Sequence, residues 1–234
     1  MDKNRIIEAL LIAVAIVILG FSLKAGIDNF TNKDRRVTVK GLAEREVAAD
    51  LVTWPIVSIE MGNDLPQLYN KINNTNKKIT DFLKRNGVAE NDITINPPVV
   101  YDKDANRYTT DKSDERYNIT SVITVSSREV AKIREIIARQ GELLKEGIAI
   151  VDGGYENPIT YEYTNFNDIK QEMMKEAIAN AQATAEQFAE NSNSKLDKII
   201  TASQGQFTIT SRDNNSPHIK NIRVVSTITY SLDD

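Results

Sequence analysis

The apolar residues of this chain are arranged in different patterns along its length. From Ile6 to Leu23 they form one continuous run, in which Glu8 is the only charged residue. In later segments apolar positions recur every three or four residues, which predicts helices with one buried side. In other segments apolar and polar residues alternate, which predicts strands with one buried face. Since the two patterns take turns between Val37 and Leu232, the sequence predicts a mixed helix-and-strand fold.

Helical spacing predicts helices at 64–86, 126–141 and 168–190. The first opens at Asp64-Leu65-Pro66 and stops at Asn86-Gly87, because glycine favours a helix end. Before the second, Ser126 and Glu129 are spaced as in a capping box. The predicted stripe of the first helix is Leu65, Leu68, Ile72, Thr75, Ile79 and Phe82. That of the long third helix is Ile169, Met173, Ala177, Ala181, Ala185 and Phe188.

Alternating and β-branched segments predict strands, several of them short. Pro55 lies inside one, and since proline cannot donate to a strand ladder, we expect an edge strand or a bulge there. The last strand places Ile222, Val224, Ile228, Tyr230 and Leu232 on one face and Arg223, Thr227, Thr229 and Ser231 on the other, as in an antiparallel strand with one wet side. The predicted strands are 37–41, 47–60, 93–101, 117–125, 148–151, 159–163, 196–203, 207–210 and 219–232.

This order of elements predicts an α+β fold, with antiparallel sheets and helices packed on one face, preceded by one N-terminal transmembrane helix. The predicted organisation is a membrane anchor or signal peptide at 1–23, a polar stalk at 24–36 and one α+β domain at 37–234.

The apolar run from Ile6 to Leu23 predicts a contact with the lipid bilayer. Its 18 residues span about 27 Å as a helix, close to the hydrocarbon thickness of a membrane. Lys3 and Arg5 precede the run and favour a cytoplasmic N-terminus, although lysines and arginines also follow it. The alternative is a cleaved signal peptide, for which Gly20-Phe21-Ser22 offers a site. Both interpretations export the rest of the chain.

Several segments, taken in order, resemble the SIMPL-domain (YggE-like) proteins of bacterial envelopes. They are the strand from Val37 to Gly41, the turn from Phe82 to Val88, the alanine-rich helix from Asp168 to Ala189 and the closing strand from Val224 to Tyr230. The resemblance covers about residues 36–232 and departs from the family at the charged loop 102–116. It implies an exported α+β domain, a link to oxidative or envelope stress defence, and self-assembly; it supplies no catalytic residues.

The composition disfavours most catalytic chemistry. The chain has no cysteine and one histidine, which excludes disulfides and thiol nucleophiles and leaves few acid–base schemes. With 29 Lys and Arg against 33 Asp and Glu, the net charge of −4 argues against nucleic acid as a partner. We therefore expect a protein that is not an enzyme, with no catalytic, cofactor-binding or metal-binding residues and no cofactor.

Individual candidates for chemistry have simpler interpretations. Asp102, Asp104 and Asn106 are spaced like the start of a calcium loop, but Arg107 and Ser113 stand where glycine and glutamate are needed. His218 has no evident catalytic partner, and Gly153-Gly154 is expected to form a hairpin turn rather than a phosphate cradle. Met173 is expected in the core, which weakens a scavenging role for Met173-Met174. The possible ligand-stacking aromatics are Trp54, Tyr69, Tyr101, Tyr108, Tyr117, Tyr155, Tyr161 and Tyr163.

The leading hypothesis is a membrane-tethered periplasmic protein of the inner membrane, single-pass, that acts by protein–protein contacts. Its expected partners are further copies of itself, the bilayer through Ile6 to Leu23 and an envelope protein of unknown identity. Copies are expected to pair at edge strands such as the Pro55 strand and the last strand. One alternative is a periplasmic module, soluble if the leader is cleaved, that binds a small molecule or cell-wall fragment through the aromatics and the 102–116 loop. Another is a hydrolase built on Asp50, Asp152 or Asp168.

Overall fold

A computed structural model describes residues 3–31, 35–105 and 114–233. Its helices are α1 (Lys3–Thr31), α2 (Leu65–Arg85), α3 (Val130–Ala138), α4 (Gly141–Lys145) and α5 (Phe166–Asn191). Its strands are β1 (Arg36–Ala48), β2 (Leu51–Gly62), β3 (Ile93–Ile95), β4 (Val99–Asp102), β5 (Tyr117–Ser127), β6 (Ile150–Val151), β7 (Thr160–Glu162), β8 (Lys195–Gln204), β9 (Thr208–Ser211) and β10 (Ile219–Asp233).

The described chain forms two compact units and two sheets. Unit 1 takes its residues from Met1–Arg45, Asn167–Ile209 and Ile222–Asp234, and unit 2 from Glu46–Phe166 and Thr210–Asn221. The four-stranded sheet has the order β1-β10-β8, with β9 also paired to β10. The six-stranded sheet has the order β3-β5-β2-β6, with β4 paired to β5 and β7 to β2. The predicted mixed fold with antiparallel sheets and helices is confirmed.

Unit 2 is built around the long antiparallel pair of β2 and β5. Helix α2 lies over this pair, and its predicted buried positions from Leu68 to Phe82 are buried. The Asp64 carboxylate caps α2 by accepting a hydrogen bond from the Gln67 N–H at 2.9 Å. Beyond its end, Gly87 has a φ of +83°, a conformation that glycine adopts readily. The predicted start and stop of this helix are confirmed, and so is the stripe from Leu68 to Phe82, but Leu65, which was also predicted in the stripe, is 37% exposed.

The expectation that Pro55 lies in an edge strand or a bulge is wrong. Strand β2 is interior, and its register with β5 runs without a shift from Val52 opposite Ser127 to Gly62 opposite Tyr117. On the other side of β2, β7 pairs with residues 51–53 and β6 with residues 57–58. Pro55 lies between these two short partners, so its missing N–H removes no ladder hydrogen bond there.

In unit 1 the alanine-rich face of α5 packs on the sheet. The helix buries Met173, Ala177, Ala181, Ala185 and Ala189. Phe188, predicted to be in this stripe, is instead 57% exposed, because the i, i+4 row from Ala185 continues to Ala189. The alternation predicted for β10 is confirmed, since Ile222, Val224, Ile228 and Tyr230 are buried. That strand lies between β1 and β8, so the expectation that it is an edge is wrong.

Two local predictions in unit 2 are also wrong. Helix α3 begins at Val130 after Glu129, whose side chain caps nothing in the described structure. Instead of a capping box, the Ser127 hydroxyl accepts a hydrogen bond from the Glu129 N–H at 3.3 Å. The turn at Gly153-Gly154 is not a hairpin turn, because β6 and β7 each pair with β2 rather than with each other.

Helix α1 includes much of the segment predicted as an anchor and extends to Thr31, within the predicted stalk. Its side chains from Leu11 to Ile27 are exposed. Across residues 3–31, 35–105 and 114–233, we find no helix whose length and apolar character together suffice for a membrane crossing.

Candidate functional site

Close packing of α5 on β1 positions the main candidate surface, which is in unit 1. A Cβ atom on Gly41 would lie 1.9 Å from the Ala177 carbonyl oxygen and 2.4 Å from the Ala181 amide nitrogen. Glycine at 41 and alanines on α5 therefore allow the helix backbone to approach the strand directly. On the exposed side of the same contact, the Arg45 guanidinium donates to the Glu172 carboxylate at 2.8 Å.

Two adjoining cavities form an apolar groove along α5, which we call the α5–β8 groove. One, of about 860 Å³, is lined by Met174 and Ile178 from α5 and by Phe207 from the segment after β8, and two α5 lysines, Lys170 and Lys175, also line it. The other, of about 220 Å³, is lined by Ile199 and Ala202 of β8 together with Ile178. Because Ile178 and Gln204 line both cavities, the groove is continuous.

Strand β8, at one wall of the groove, is an edge strand with an open side. Ile199 is 56% exposed and Ile200 is 45% exposed. The Gly205 N–H donates to the Val225 carbonyl of β10 at 2.8 Å. Since residues two apart in a strand direct their N–H groups to the same side, the N–H groups of Ala202 and Gln204 point to the open side.

The two halves of β8 differ in their protection against strand addition. The register with β10 shifts between Thr229 and Tyr230 and again before Leu232. These irregularities accompany the half of β8 that carries Lys195, Asp197 and Lys198, and both bulges and charges discourage edge pairing. From Thr201 to Gln204 the register is regular and no residue is charged. This second half has the features of an interaction edge.

Two of the three carboxylates proposed for a hydrolase accept hydrogen bonds from backbone N–H groups in turns. The Asp50 carboxylate accepts hydrogen bonds from the Thr164 and Asn165 N–H groups at 2.7 and 2.9 Å. Partial burial raises the pKa of Asp50, but these hydrogen bonds and Arg128 outweigh it, so the pKa lies below its ordinary value. Asp152 accepts a hydrogen bond from the Gly154 N–H at 3.1 Å. Asp168 is exposed in the first turn of α5. Asp50 and Asp152 thus hold turns.

His218 has aromatic and cationic neighbours in unit 2. Its carbonyl accepts a hydrogen bond from the Ala49 N–H at 2.8 Å, and its ring lies edge-on to Tyr161 with the ring centres 6.1 Å apart. Partial burial lowers the pKa of His218, and Arg134 and Arg212 lower it further, while Asp213 opposes them. The histidine lines a cavity of 470 Å³ with Arg128 and Arg134.

The predicted aromatic set does not form one stacking face. Trp54 is 1% exposed in the core of unit 2, whereas Tyr69 is 53% exposed and Tyr155 is wholly exposed. Tyr117 lies under the Arg116 guanidinium, 4.8 Å from its ring centre. Tyr108 lies outside the described residues. Tyr161 packs against the core cluster that contains Trp54, so these two aromatics are part of the core of unit 2.

The two carboxylates in the segment that resembles the start of a calcium loop are both paired with Arg116. The Arg116 guanidinium donates to both oxygens of Asp102, at 2.9 and 2.7 Å, and its Nε lies 3.3 Å from Asp104. This hydrogen-bonded pairing lowers the pKa of Asp102 below its ordinary value. Asn106, Arg107 and Ser113 lie outside the described residues. In the part of the chain that is described, no three His, Asp or Glu side chains are grouped to hold a metal ion.

The methionine pair on α5 is divided between core and groove. Met173 is fully buried, as predicted, and Met174 is half-buried in the wall of the α5–β8 groove. Sequence reasoning missed the groove and the open half of β8. The available signal was the uncharged stretch from Thr201 to Gln204, which follows the charged start of the same strand.

Comparison with known proteins identifies a family for this chain but no individual curated protein that matches it. A family model, described as SIMPL, a protein of unknown function (DUF541), matches residues 37–226. A search of curated proteins finds no match to the chain. The matched span includes α5, β8 and the first half of β10, up to Ser226, and it agrees with the resemblance seen in the sequence. The chain therefore belongs to the SIMPL family.

Proposed function

We propose that this SIMPL protein self-associates through the α5–β8 groove and the open half of β8, and works in the bacterial envelope by protein–protein contacts. One observation carries the proposal: a regular, uncharged strand edge from Thr201 to Gln204 runs along an apolar groove. An open edge of this kind adds a further strand readily. The groove beside it then receives alternate side chains of that strand.

A second copy of the chain is the occupant that this surface fits. Two identical β8 strands can pair antiparallel across a two-fold axis, so that the same patch of each copy forms both sides of the interface. That pairing brings no charged residues into the Thr201 to Gln204 stretch, and it covers Ile178 and Ile199 of both copies. Covering each of these half-exposed side chains stabilises the contact by roughly 1 kcal/mol, in addition to the main-chain hydrogen bonds.

The substitution Ala202→Pro tests this interface. Proline removes an N–H that points to the open side, so the ladder between β8 and β10 is preserved while strand addition is blocked. Sedimentation of the full chain in detergent is expected to show a self-associated wild type and a mainly monomeric Ala202→Pro variant. Ala202→Ser, which keeps the N–H, is the matched control and is expected to associate like wild type. A monomeric wild type, or a proline variant that associates unchanged, would contradict the proposal.

The membrane tether is a further part of the proposal. Its support is the apolar sequence from Ile6 to Leu23 and the basic residues Lys3 and Arg5 before it. Some side chains of this run lie outside the described part of the structure. A reporter fused behind Asp234 is expected to be periplasmic, and Edman sequencing is expected to find an intact N-terminus in the membrane fraction. A cleaved N-terminus would favour a soluble periplasmic form, and a cytoplasmic reporter would refute export.

The proposed link to oxidative or envelope stress rests on the resemblance to YggE-like proteins. Cells that lack the chain are expected to survive peroxide less well and to recover with the wild-type protein. If self-association is needed for that role, Ala202→Pro will fail to restore survival while Ala202→Ser succeeds. Equal rescue by both variants would separate stress defence from self-association. That the chain is not an enzyme stays a prediction.

The alternative of a ligand-binding module gains nothing from the aromatic positions. Trp54 belongs to the core, while Tyr69 and Tyr155 are exposed. The Asp102 end of the predicted loop is held by Arg116. Self-association therefore explains more of the described surface than binding through these residues does.

A further inference from the structure

The cavity beside His218, in unit 2, is lined by more cationic than anionic side chains. Three cationic residues, Arg128, Lys132 and Arg134, line its 470 Å³ together with one carboxylate, Glu129. Lys132 is already occupied, because its ammonium donates to the Glu129 carboxylate at 2.7 Å and to the Gly87 carbonyl at 2.6 Å. The lining carboxylate thus pairs with the lysine and with neither guanidinium group, although Arg128 acts at longer range on the Asp50 carboxylate, whose pKa it lowers.

Neither arginine forms a close ion pair with a carboxylate in the described structure. Arg128 makes only a long contact, 3.5 Å, with the Thr164 hydroxyl. Among the described residues, Arg134 forms no ion pair. Arginine groups that line a concave surface without an acidic partner are suited to bind an oxyanion, because each guanidinium offers several N–H donors in one plane.

The imidazole of His218 lies within the electric field of Arg134 and Arg212. Burial lowers its pKa first, and Arg134 and Arg212 lower it further from α3 and from the loop before β10. Asp213 opposes them, but its carboxylate accepts a hydrogen bond from the Arg212 guanidinium at 3.0 Å. Tyr161, which faces the ring from β7, carries no charge at neutral pH. The surroundings of His218 therefore disfavour a cation in the cavity and favour an anion.

We infer that the cavity formed by Arg128, Arg134 and His218 is a binding site for a small oxyanion, a phosphate or carboxylate group. The Val130 and Ala131 residues at the start of α3 line the same cavity, so the positive end of a helix adds to the attraction. The site is in unit 2 and does not depend on the α5–β8 groove, which is in unit 1. It supplies binding and orientation of an anionic group and requires no covalent step.

The single histidine of the chain provides a direct probe. Full-length protein in detergent, labelled with ¹³C-histidine, has one imidazole Hε1 signal, which belongs to His218. Inorganic phosphate and acetate are titrated separately near pH 6, at constant ionic strength set with sodium chloride. We expect a saturable shift of this signal and a rise in the pKa of His218, because a bound anion stabilises the imidazolium form.

Variants and the two anions separate the possible outcomes. Arg134→Ala is expected to weaken binding at least about tenfold, since it removes a charge-assisted partner. Arg139→Ala is the matched control, because Arg139 is exposed just beyond α3, is paired with Glu142 and does not line the cavity. Tighter binding of phosphate assigns the site to phosphate groups, and tighter binding of acetate assigns it to carboxylates. No saturable shift with either anion, or equal weakening by Arg139→Ala, would overturn the inference.

Discussion

Replacing Gly41 by alanine tests whether unit 1 depends on direct contact between α5 and β1. Gly41 is not among the described glycines with positive φ, so alanine is compatible with its backbone conformation. On that ground alone, the change would stabilise the strand by about 0.5–1 kcal/mol. The added Cβ, however, would lie 1.9 Å from the Ala177 carbonyl oxygen and 2.4 Å from the Ala181 nitrogen.

The cost of this clash exceeds the gain in strand propensity. The two contacts are helix backbone atoms, which cannot rotate away as a side chain does, so α5 must shift outward. Overpacking of this kind costs roughly 1–3 kcal/mol, and backbone contacts at such distances place the cost at the upper end. The shift also loosens the packing of Ala185 against Ile228 and Tyr230. We expect a net loss of about 2–2.5 kcal/mol in the local stability of unit 1.

Hydrogen exchange of the α5 amides measures this loss in the full chain. A loss of about 2–2.5 kcal/mol corresponds to exchange about 30- to 70-fold faster between Met173 and Ala189. Gly141→Ala is the matched control, because no atom lies within 4 Å of the Cβ that it adds. It is expected to leave α5 exchange unchanged. Unchanged or slower exchange in Gly41→Ala would refute the close-packing argument.

Further predictions concern unit 2. The hydroxyls of Ser58 and Ser121 are buried without a hydrogen-bond partner in the described structure, and the two residues lie opposite each other on β2 and β5. Replacing both by alanine is therefore expected to leave the free energy of unfolding in urea unchanged or to raise it by about 1 kcal/mol. Thr75→Ala removes the 3.0 Å hydrogen bond from the Thr75 hydroxyl to Glu60 and is expected to lower the free energy of unfolding by roughly 1 kcal/mol. A serine double variant less stable than Thr75→Ala would count against this assignment of hydrogen bonds. Because the pKa of Asp50 is lowered in the folded state, its stabilisation is present above the unfolded pKa of about 3.9 and is lost as pH falls through the folded value. Asp50→Asn is therefore expected to lower the urea midpoint at pH 7 and to flatten its decline towards pH 3; a wild-type pH profile in this variant would show that the two turn hydrogen bonds do not matter.

The sequence predicted those elements whose local signals agree with their packing. Helix α2 is the clearest case, because its cap, its apolar stripe and its Gly87 stop all indicate the same span. The last strand was predicted correctly in its faces for the same reason. Its neighbours could not be predicted, because strand order depends on contacts between distant segments.

Errors arose where a local rule has more than one structural solution. A proline is tolerated in a strand wherever its missing N–H costs no hydrogen bond to a neighbouring strand. Pro55 meets this condition in an interior strand because it lies in the gap between β6 and β7. Phe188 fits the spacing of the α5 stripe approximately, but the buried row continues through Ala189. The candidate surfaces were missed because Ile178 and Ile199, like Arg134 and His218, are distant in sequence and adjoin only in the folded chain.

Cysteine cross-linking measures most directly whether copies of the chain meet at β8. The chain has no cysteine, so single substitutions at Thr201, Ala202, Ser203 and Gln204 introduce the only thiols. Lys40→Cys, on β1 at the other edge of the same sheet, is the control. Under mild oxidation of the full chain in membranes, at least one β8 variant is expected to form a disulfide-linked dimer while Lys40→Cys stays monomeric. Monomers at all four β8 positions, or equal cross-linking at Lys40, would contradict self-association through this edge.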